Sequence, residues 1–293
     1  MTRRHLEIFV TVAEEMNMTS AAQRLYISQS AVSQAIKELE VQYSTKLFER
    51  LSKKLYITQA GERLLAYARH IIRLYHDISQ EMKTFESHPK LRIGASVTIA
   101  TSIMPSLILS FQTQLPSAEV QVFEDNTTKI EKMLLNDEID IALVEGEIMS
   151  KDLLQEAFLE DKLIFVCSNR HKFSQTSVPI HALENENFIL REIGSGTRKK
   201  FEEVMMSHNF NWHSSWTCNN ADTIKEAVEK NLGITVISHR AVKRQLADGL
   251  LSTFNVENIE FKRQFRIVYH RHKFQSNIMH ELIHYTKDYF KNN

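Results

Sequence analysis

The sequence predicts an α/β chain in three parts: an N-terminal winged helix-turn-helix, one long helix with coiled-coil spacing, and a two-lobed α/β domain. Three observations carry that expectation. Residues 19–40, TSAAQRLYISQSAVSQAIKELE, read as two short helices around a tight turn, and a strand-turn-strand pattern follows them. Leu64, Ala68, Ile71, Tyr75, Ile78, Met82 and Phe85 alternate steps of four and three, the spacing of a coiled-coil seam. From Leu91 onward, strand and helix patterns alternate, as they do where parallel strands are covered by helices. At 293 residues the chain is long enough for two domains with proper cores.

Leu6, Phe9, Val10 and Ala13 give residues 3–15 the spacing of a helix able to cover the hairpin. Asn17 suits an N-cap for the next helix, where Ala21 and Ala22 permit close approach. Tyr26 and Ile27 turn the chain, and Ser28 suits the N-cap of the second helix. There Val32, Ile36 and Leu39 form one apolar stripe, while the opposite side carries Gln29, Ser30, Ser33, Gln34 and Lys37, with no acid before Glu38. A merely solvated face would be rich in Glu, Lys and Arg. Short amide and hydroxyl groups instead hydrogen-bond base edges and phosphates without repelling them, so the pattern points to DNA reading. Leu47 and Phe48 anchor a wing whose tip is Ser52, Lys53 and Lys54. Arg50, Lys53 and Lys54, with Arg24, are candidate phosphate contacts. Lys plus Arg and Asp plus Glu both number 36, so any basic surface is local.

Thr58 can cap the long helix, expected to run to about Ser87 over about 40 Å. A lone helix exposes such a seam, which predicts pairing with a second copy. Ser87, His88 and Pro89 end it. The expected domains are 1–58, the helix-turn-helix with its wing; 59–88, the linker and dimerisation helix; and 89–293, two lobes of about 91–161 plus 268–293 and about 162–267. Two lobes with the chain crossing between them leave a cleft for a small ligand.

SAAQRLYISQSAVSQAIKELE, KLFER and LYITQAG closely resemble the winged helix-turn-helix of LysR-type transcriptional regulators, and the resemblance extends over essentially the whole chain. It implies an effector domain resembling periplasmic binding proteins, double-stranded operator DNA as a partner, and a homodimer through the linker helix, usually within a homotetramer. Ser44 and Lys53 depart from the family, which often has glycine at both turns.

GASVT and GSGTRKK put Ser96, Thr98, Gly194, Ser195, Gly196, Thr197 and Arg198 at strand-to-helix junctions, where free backbone N–H groups attract anions. Each hydroxyl alone also reads as a helix cap. With the family's inter-lobe effectors in mind, a small anion or carboxylate bridging Thr98 and Ser195 is expected, with Asn220 and Gly146 as further lining. GSGTR fits neither a dinucleotide fingerprint nor a P-loop. No cofactor is expected, and no set of nucleophile, base and oxyanion donors marks an enzyme.

His280-Glu281-Leu282-Ile283-His284 matches the H-E-x-x-H zinc motif, but these histidines fall opposite the apolar face of Ile278, Leu282, Tyr285 and Tyr289. A regulatory metal site with His270 and His272, and redox sensing by Cys167 or Cys218, stand as alternatives within the same fold. A transport solute-binding protein is the other rival. The N-terminus lacks the pattern of a signal peptide and no apolar run is long enough for a membrane helix, so a cytoplasmic protein without membrane contact is expected.

Overall fold

A computed structural model describes residues 1–51, 54–81 and 90–291, in two compact units, one up to Glu81 together with Leu135–Asp137 and the other the remainder from Lys90.

The first unit is built on α1 (Arg3–Glu15), α2 (Met18–Arg24) and α3 (Gln29–Gln42), then β1 (Phe48–Leu51), β2 (Lys54–Ile57) and α4 (Gln59–Glu81). The local rules hold at each junction. Asn17 accepts hydrogen bonds from the Thr19 and Ser20 N–H groups, and Ser28 accepts one from Ala31. Val32, Ala35, Ile36 and Leu39 of α3 are buried with Leu6, Ile8, Phe9 and Val12 of α1. In α1 the buried positions thus include Ile8 and Val12 beside Leu6 and Phe9, whereas Val10 and Ala13 pack only at the margin. Ser44 takes φ 49°, a left-handed turn that glycine would adopt more readily.

Glu40 fastens the wing to α3. Its carboxylate accepts the N–H groups of Leu47 at 2.9 Å and Phe48 at 3.4 Å, and pairs with Lys46 at 2.6 Å. Strands β1 and β2 pair antiparallel from Phe48↔Ile57 to Leu51↔Lys54, so Lys54 belongs to a strand rather than to the tip. Thr58 caps α4 through the Gly61 N–H at 3.0 Å. At 1.5 Å per residue the 23 residues of α4 span about 35 Å. The seam expected to be free along its length is used in two ways. Leu64, Ala68 and Ile71 pack into this unit's own core, because α1 lies on them. Tyr75 and Ile78 are about half exposed, and Arg3 lies over the Tyr75 ring. Lys53, Met82, Phe85 and the expected stop at Ser87–Pro89 fall outside the described residues.

The second unit comprises β3 (Lys90–Ser96), α5 (Val97–Ser102), α6 (Met104–Gln114), β4 (Glu119–Asp125), α7 (Thr127–Leu135), β5 (Ile141–Glu145), β6 (Leu153–Ser168), β7 (Ser177–Val178), β8 (Asn187–Arg191), α8 (Gly196–Ser207), β9 (His213–Cys218), α9 (Ala221–Glu229), β10 (Thr235–Ser238), α10 (His239–Ala247), β11 (Leu251–Val256), β12 (Phe261–His270) and α11 (Asn277–Lys291). An eight-stranded sheet runs β4-β3-β5-β12-β6-β11-β7 with β10 also on β6, and β8 and β9 form a separate parallel pair.

Only part of this sheet has the expected parallel order. β4, β3 and β5 are parallel, but β12 is antiparallel to β5 and β6, and β10 and β11 are antiparallel to β6. The reason is the crossing: β6 and β12 pass between the lobes in opposite directions. One core gathers Leu91, Ile141, Phe265, Ile267 and Leu282, and the other Leu163, Phe165, Phe201, Val236 and Phe261. The change of lobe therefore lies near Asp161 on β6 and Arg263 on β12. Phe265 and Ile267, assigned from sequence to the second lobe, belong to the first core.

Candidate functional site

On α3, Gln29, Ser30, Ser33, Gln34 and Lys37 are all exposed, opposite the buried stripe. Gln34 donates to Glu38 at 2.8 Å, and the hydroxyl of Ser30 lies 2.9 Å from that of Ser28. These are local bonds that a base edge can replace at small cost. Arg50 and Lys54 are exposed on the wing strands. Arg24 differs from the expectation of a free phosphate contact: it pairs with Glu14 and Glu15, each at 2.9 Å, which balances its charge inside the unit. Tyr26, at the turn between α2 and α3, has φ 53° and is 95% exposed, a residue beside the reading face that sequence reasoning treated only as a turn.

In the second unit the strand-to-helix junctions converge on a residue the sequence reading did not select. Glu145 ends β5 with its carboxylate buried. Oxygen Oε1 accepts the backbone N–H of Thr98 at 3.1 Å, from the first lobe. Oxygen Oε2 accepts the hydroxyl of Thr197 at 2.9 Å, from the second lobe, and the Nη1 of Arg263. Arg263 also donates to Thr197 Oγ1 at 2.9 Å and, through Nε, to Asp161 at 2.8 Å. Asp161 accepts a further bond from Ser238 at 2.7 Å. Glu145, Arg263 and Asp161 are a buried ion triad between the lobes, with side chains 2%, 2% and 1% exposed. Burial pushes the Glu145 carboxyl up, but the charges of Arg263 and Arg191 and the bonds from Thr98 and Thr197 outweigh it and hold the pKa at about 2.

The remaining expected residues divide by role. Ser96 is buried and accepts the Glu145 N–H at 3.2 Å, fixing β3 against β5. Ser195 caps α8, accepting from Thr197 N–H at 3.2 Å, so its hydroxyl does not reach the carboxylate. It is Thr98 and Thr197, not Ser195, that meet on the Glu145 carboxylate from the two lobes. Gly196 brings α8 close, since a Cβ there would meet the Glu145 carbonyl at 2.5 Å. Gly194 takes φ 95° and its carbonyl accepts the Thr128 N–H at 3.1 Å, a second link between lobes. Arg198 bonds Glu202 at 2.7 Å and the Arg191 carbonyl at 3.0 Å.

A cleft of about 800 Å³ opens beside the triad, lined by Glu145, Gly146, Gly194, Ser195, Gly196 and Arg198 among others. Ser96, Thr98 and Thr197 lie buried behind Glu145 and do not line it. Asn220 does not line it either: it is exposed and caps α9, accepting from Thr223 N–H at 2.8 Å.

Cys167 is fully buried in β6, and burial, with the nearby Glu186 charge, pushes its thiol up to about 12. Burial also raises Cys218. Both thiols are thereby kept from the thiolate form that redox sensing uses. His280 and His284 are exposed on α11, and among the described residues no three His, Cys, Asp or Glu side chains group closely enough to hold a metal ion. Among those residues no helix is long and apolar enough to cross a membrane.

Comparison with known proteins agrees with this architecture. Residues 3–62 match the model of the bacterial regulatory helix-turn-helix protein, lysR family, and residues 86–291 match the LysR substrate binding domain. The chain is 31% identical to the HTH-type transcriptional regulator YeiE of Escherichia coli K12 over 285 residues, 97% of each chain. It is 32% identical to the HTH-type transcriptional regulator CysL of Bacillus subtilis over 267 residues, 90% of this chain and 89% of CysL. Among solved structures, the CcmR regulatory domain of Synechocystis PCC6803 in complex with 2-PG is similar with TM-score 0.65 and 26% identity, covering 69% of this chain and 98% of that domain. Carrying both of the family's domains in order, the chain belongs to the LysR family of DNA-binding transcriptional regulators.

Proposed function

We propose that this regulator reads its operator through Gln29, Ser30, Ser33 and Gln34 of α3, with Lys37, Arg50 and Lys54 on phosphates, and that a small anionic effector received between the lobes modulates it. One observation carries the effector reading: the Thr98 N–H, the Thr197 hydroxyl and Arg263, from both lobes, meet on a single carboxylate group. A set of donors that binds one carboxylate from two sides suits an oxyanion and couples its binding to lobe geometry. The likeness to a regulatory domain solved in complex with 2-PG supports a small ligand in this domain. The half-exposed Tyr75 and Ile78 of α4 support pairing of two chains there, as the first step to a homotetramer. The reading gives the chain no catalytic role and places it in the cytoplasm, where the DNA is.

A gel-shift assay against the DNA flanking its own gene, with and without small anions, tests the whole. A sequence-specific shift that anions alter is expected; no such shift under any condition refutes it.

A further inference from the structure

The donors assigned to an effector's anion are already occupied, and by the protein itself. Resting on the effector reading above, we propose that Glu145 is a tethered stand-in for the effector, so that a small hydrophilic oxyanion acts by displacing its carboxylate from Thr98, Thr197 and Arg263.

Four observations carry this. First, both carboxylate oxygens are engaged, Oε1 by the first lobe and Oε2 by the second together with Arg263, as a bound oxyanion would be. Second, displaced Glu145 has a place to go. It lines the cleft of about 800 Å³, and the next residue, Gly146, has φ 78° with nothing within 4 Å of where a Cβ would stand. Third, Arg263 retains donor capacity. Its Nη2 is buried 2.7 Å from Asp161 Oδ2 but at an angle that leaves it without a well-directed acceptor. Fourth, the cleft selects the ligand's character. Among the described residues its lining holds no aromatic side chain, and its large apolar ones, Met149 and Ile193, are 75% and 84% exposed. An acid with an apolar body therefore gains little there, whereas a compact oxyanion needs only the polar donors at the triad and can avoid the carboxylates that share the lining with Lys162, Arg198 and Arg266.

The physical consequence is a threshold. A carboxylate tethered one side chain from its site competes at high effective concentration, and the apparent affinity for the effector falls by the fraction of molecules whose site is free. Taking the tether away raises affinity without adding a contact to the ligand. Once Glu145 is neutralised, the cluster of Arg263 with Asp161, near Arg191, also stops repelling an anion.

The test uses full-length protein and calorimetric titration with sodium sulfate, sodium phosphate and sodium acetate, with sodium chloride at equal ionic strength as the blank. Glu145→Ala is expected to bind at least one of the three roughly ten-fold more tightly than the unaltered chain. Glu145→Gln, which keeps the volume and an acceptor oxygen, is expected to gain in the same direction and serves if the alanine variant does not fold. Thr197→Val is expected to weaken binding in either background. Equal or weaker binding by both Glu145 variants, with Thr197→Val still weakening it, overturns the stand-in while leaving the inter-lobe site in place. Binding indifferent to Thr197→Val overturns the site and the stand-in together.

Discussion

Replacing Arg263 by Met gives the most direct reading of the triad. Arg263 is the cation between Glu145 and Asp161, and all three side chains are at most 2% exposed. Its removal leaves two buried carboxylates without their shared partner, and breaking a buried pair in this way costs about 3–5 kcal/mol. For a unit of this size, about 2–4 °C per kcal/mol converts that to a fall in Tm of about 6–20 °C. The assay is thermal unfolding of the full chain followed by tryptophan fluorescence. Trp212 and Trp216, the chain's two tryptophans, both lie in the second unit and report on it alone. The pH dependence has a sign. Without Arg263, burial dominates and raises the Glu145 carboxyl, so the folded variant binds a proton the native protein does not, and the deficit shrinks on acidification. Arg263→Lys, keeping the charge but not the fork, loses less. A loss below about 1 kcal/mol in Arg263→Met would mean the triad is not buried in solution.

Gln34→Ala is expected to change base preference and cost about 1–3 kcal/mol on the preferred operator, whereas Lys54→Ala weakens all sequences alike and flattens the salt slope by about one; binding isotherms on matched operator variants over a salt series separate the two. Glu40→Ala leaves the Leu47 and Phe48 N–H groups without their carboxylate acceptor. It is expected to destabilise the first unit by about 1–3 kcal/mol, read from its urea midpoint, and an unchanged midpoint counts against Glu40 as the wing's fastening. Asp140, held down at about 2 against the effect of burial by Arg92 and Lys273, and Glu145, also at about 2, each lend stability that is complete above their ordinary carboxylate range and disappears as pH falls toward 2. Urea midpoints of the second unit should drop through that acid window, less so in Asp140→Asn, and a flat profile contradicts both pairings.

The local rules made much of the first unit readable. Asn17, Ser28 and Thr58 cap as their chemistry dictates, and Val32, Ile36 and Leu39 point inward because their spacing permits nothing else. Less was readable where burial comes from distant chain. Leu153–Glu160 lacks a regular apolar–polar alternation, with Leu153 and Leu154, Gln155 and Glu156, and Ala157 to Leu159 running in blocks, yet it forms the first half of β6 because β12 pairs along it apart from the irregularity at Phe158. β11 and α10 escaped notice likewise. At the site, the hydroxyl-rich junctions were visible but not what they surround. Glu145 hid at the end of the apolar run IALVEG, and Arg263 in the alternating FKRQF. An acid closing a buried strand, and a basic residue on the inward side of an alternation, were the available signals. Which acid meets which base is decided by strand pairing, which spacing within one segment does not encode.

That pairing also bears on what the chain can tolerate. Arg263 faces Asp161 in the β6–β12 register, and neighbouring residues in a strand point to opposite sides. A slip of one position would present Lys262 or Gln264 to Asp161 and turn Arg263 outward, dismantling the triad with every side chain still present. The register changes between Phe265 and Arg266, where Leu159 is followed by Ala157 on the partner strand. This irregularity lies within the first lobe and separates the stretch of ladder that holds Arg263 opposite Asp161 from the stretch that runs on to His270. An insertion or deletion absorbed there can re-phase the ladder beyond Arg266 while Arg263 stays opposite Asp161, so a change of length at that point spares the charged centre.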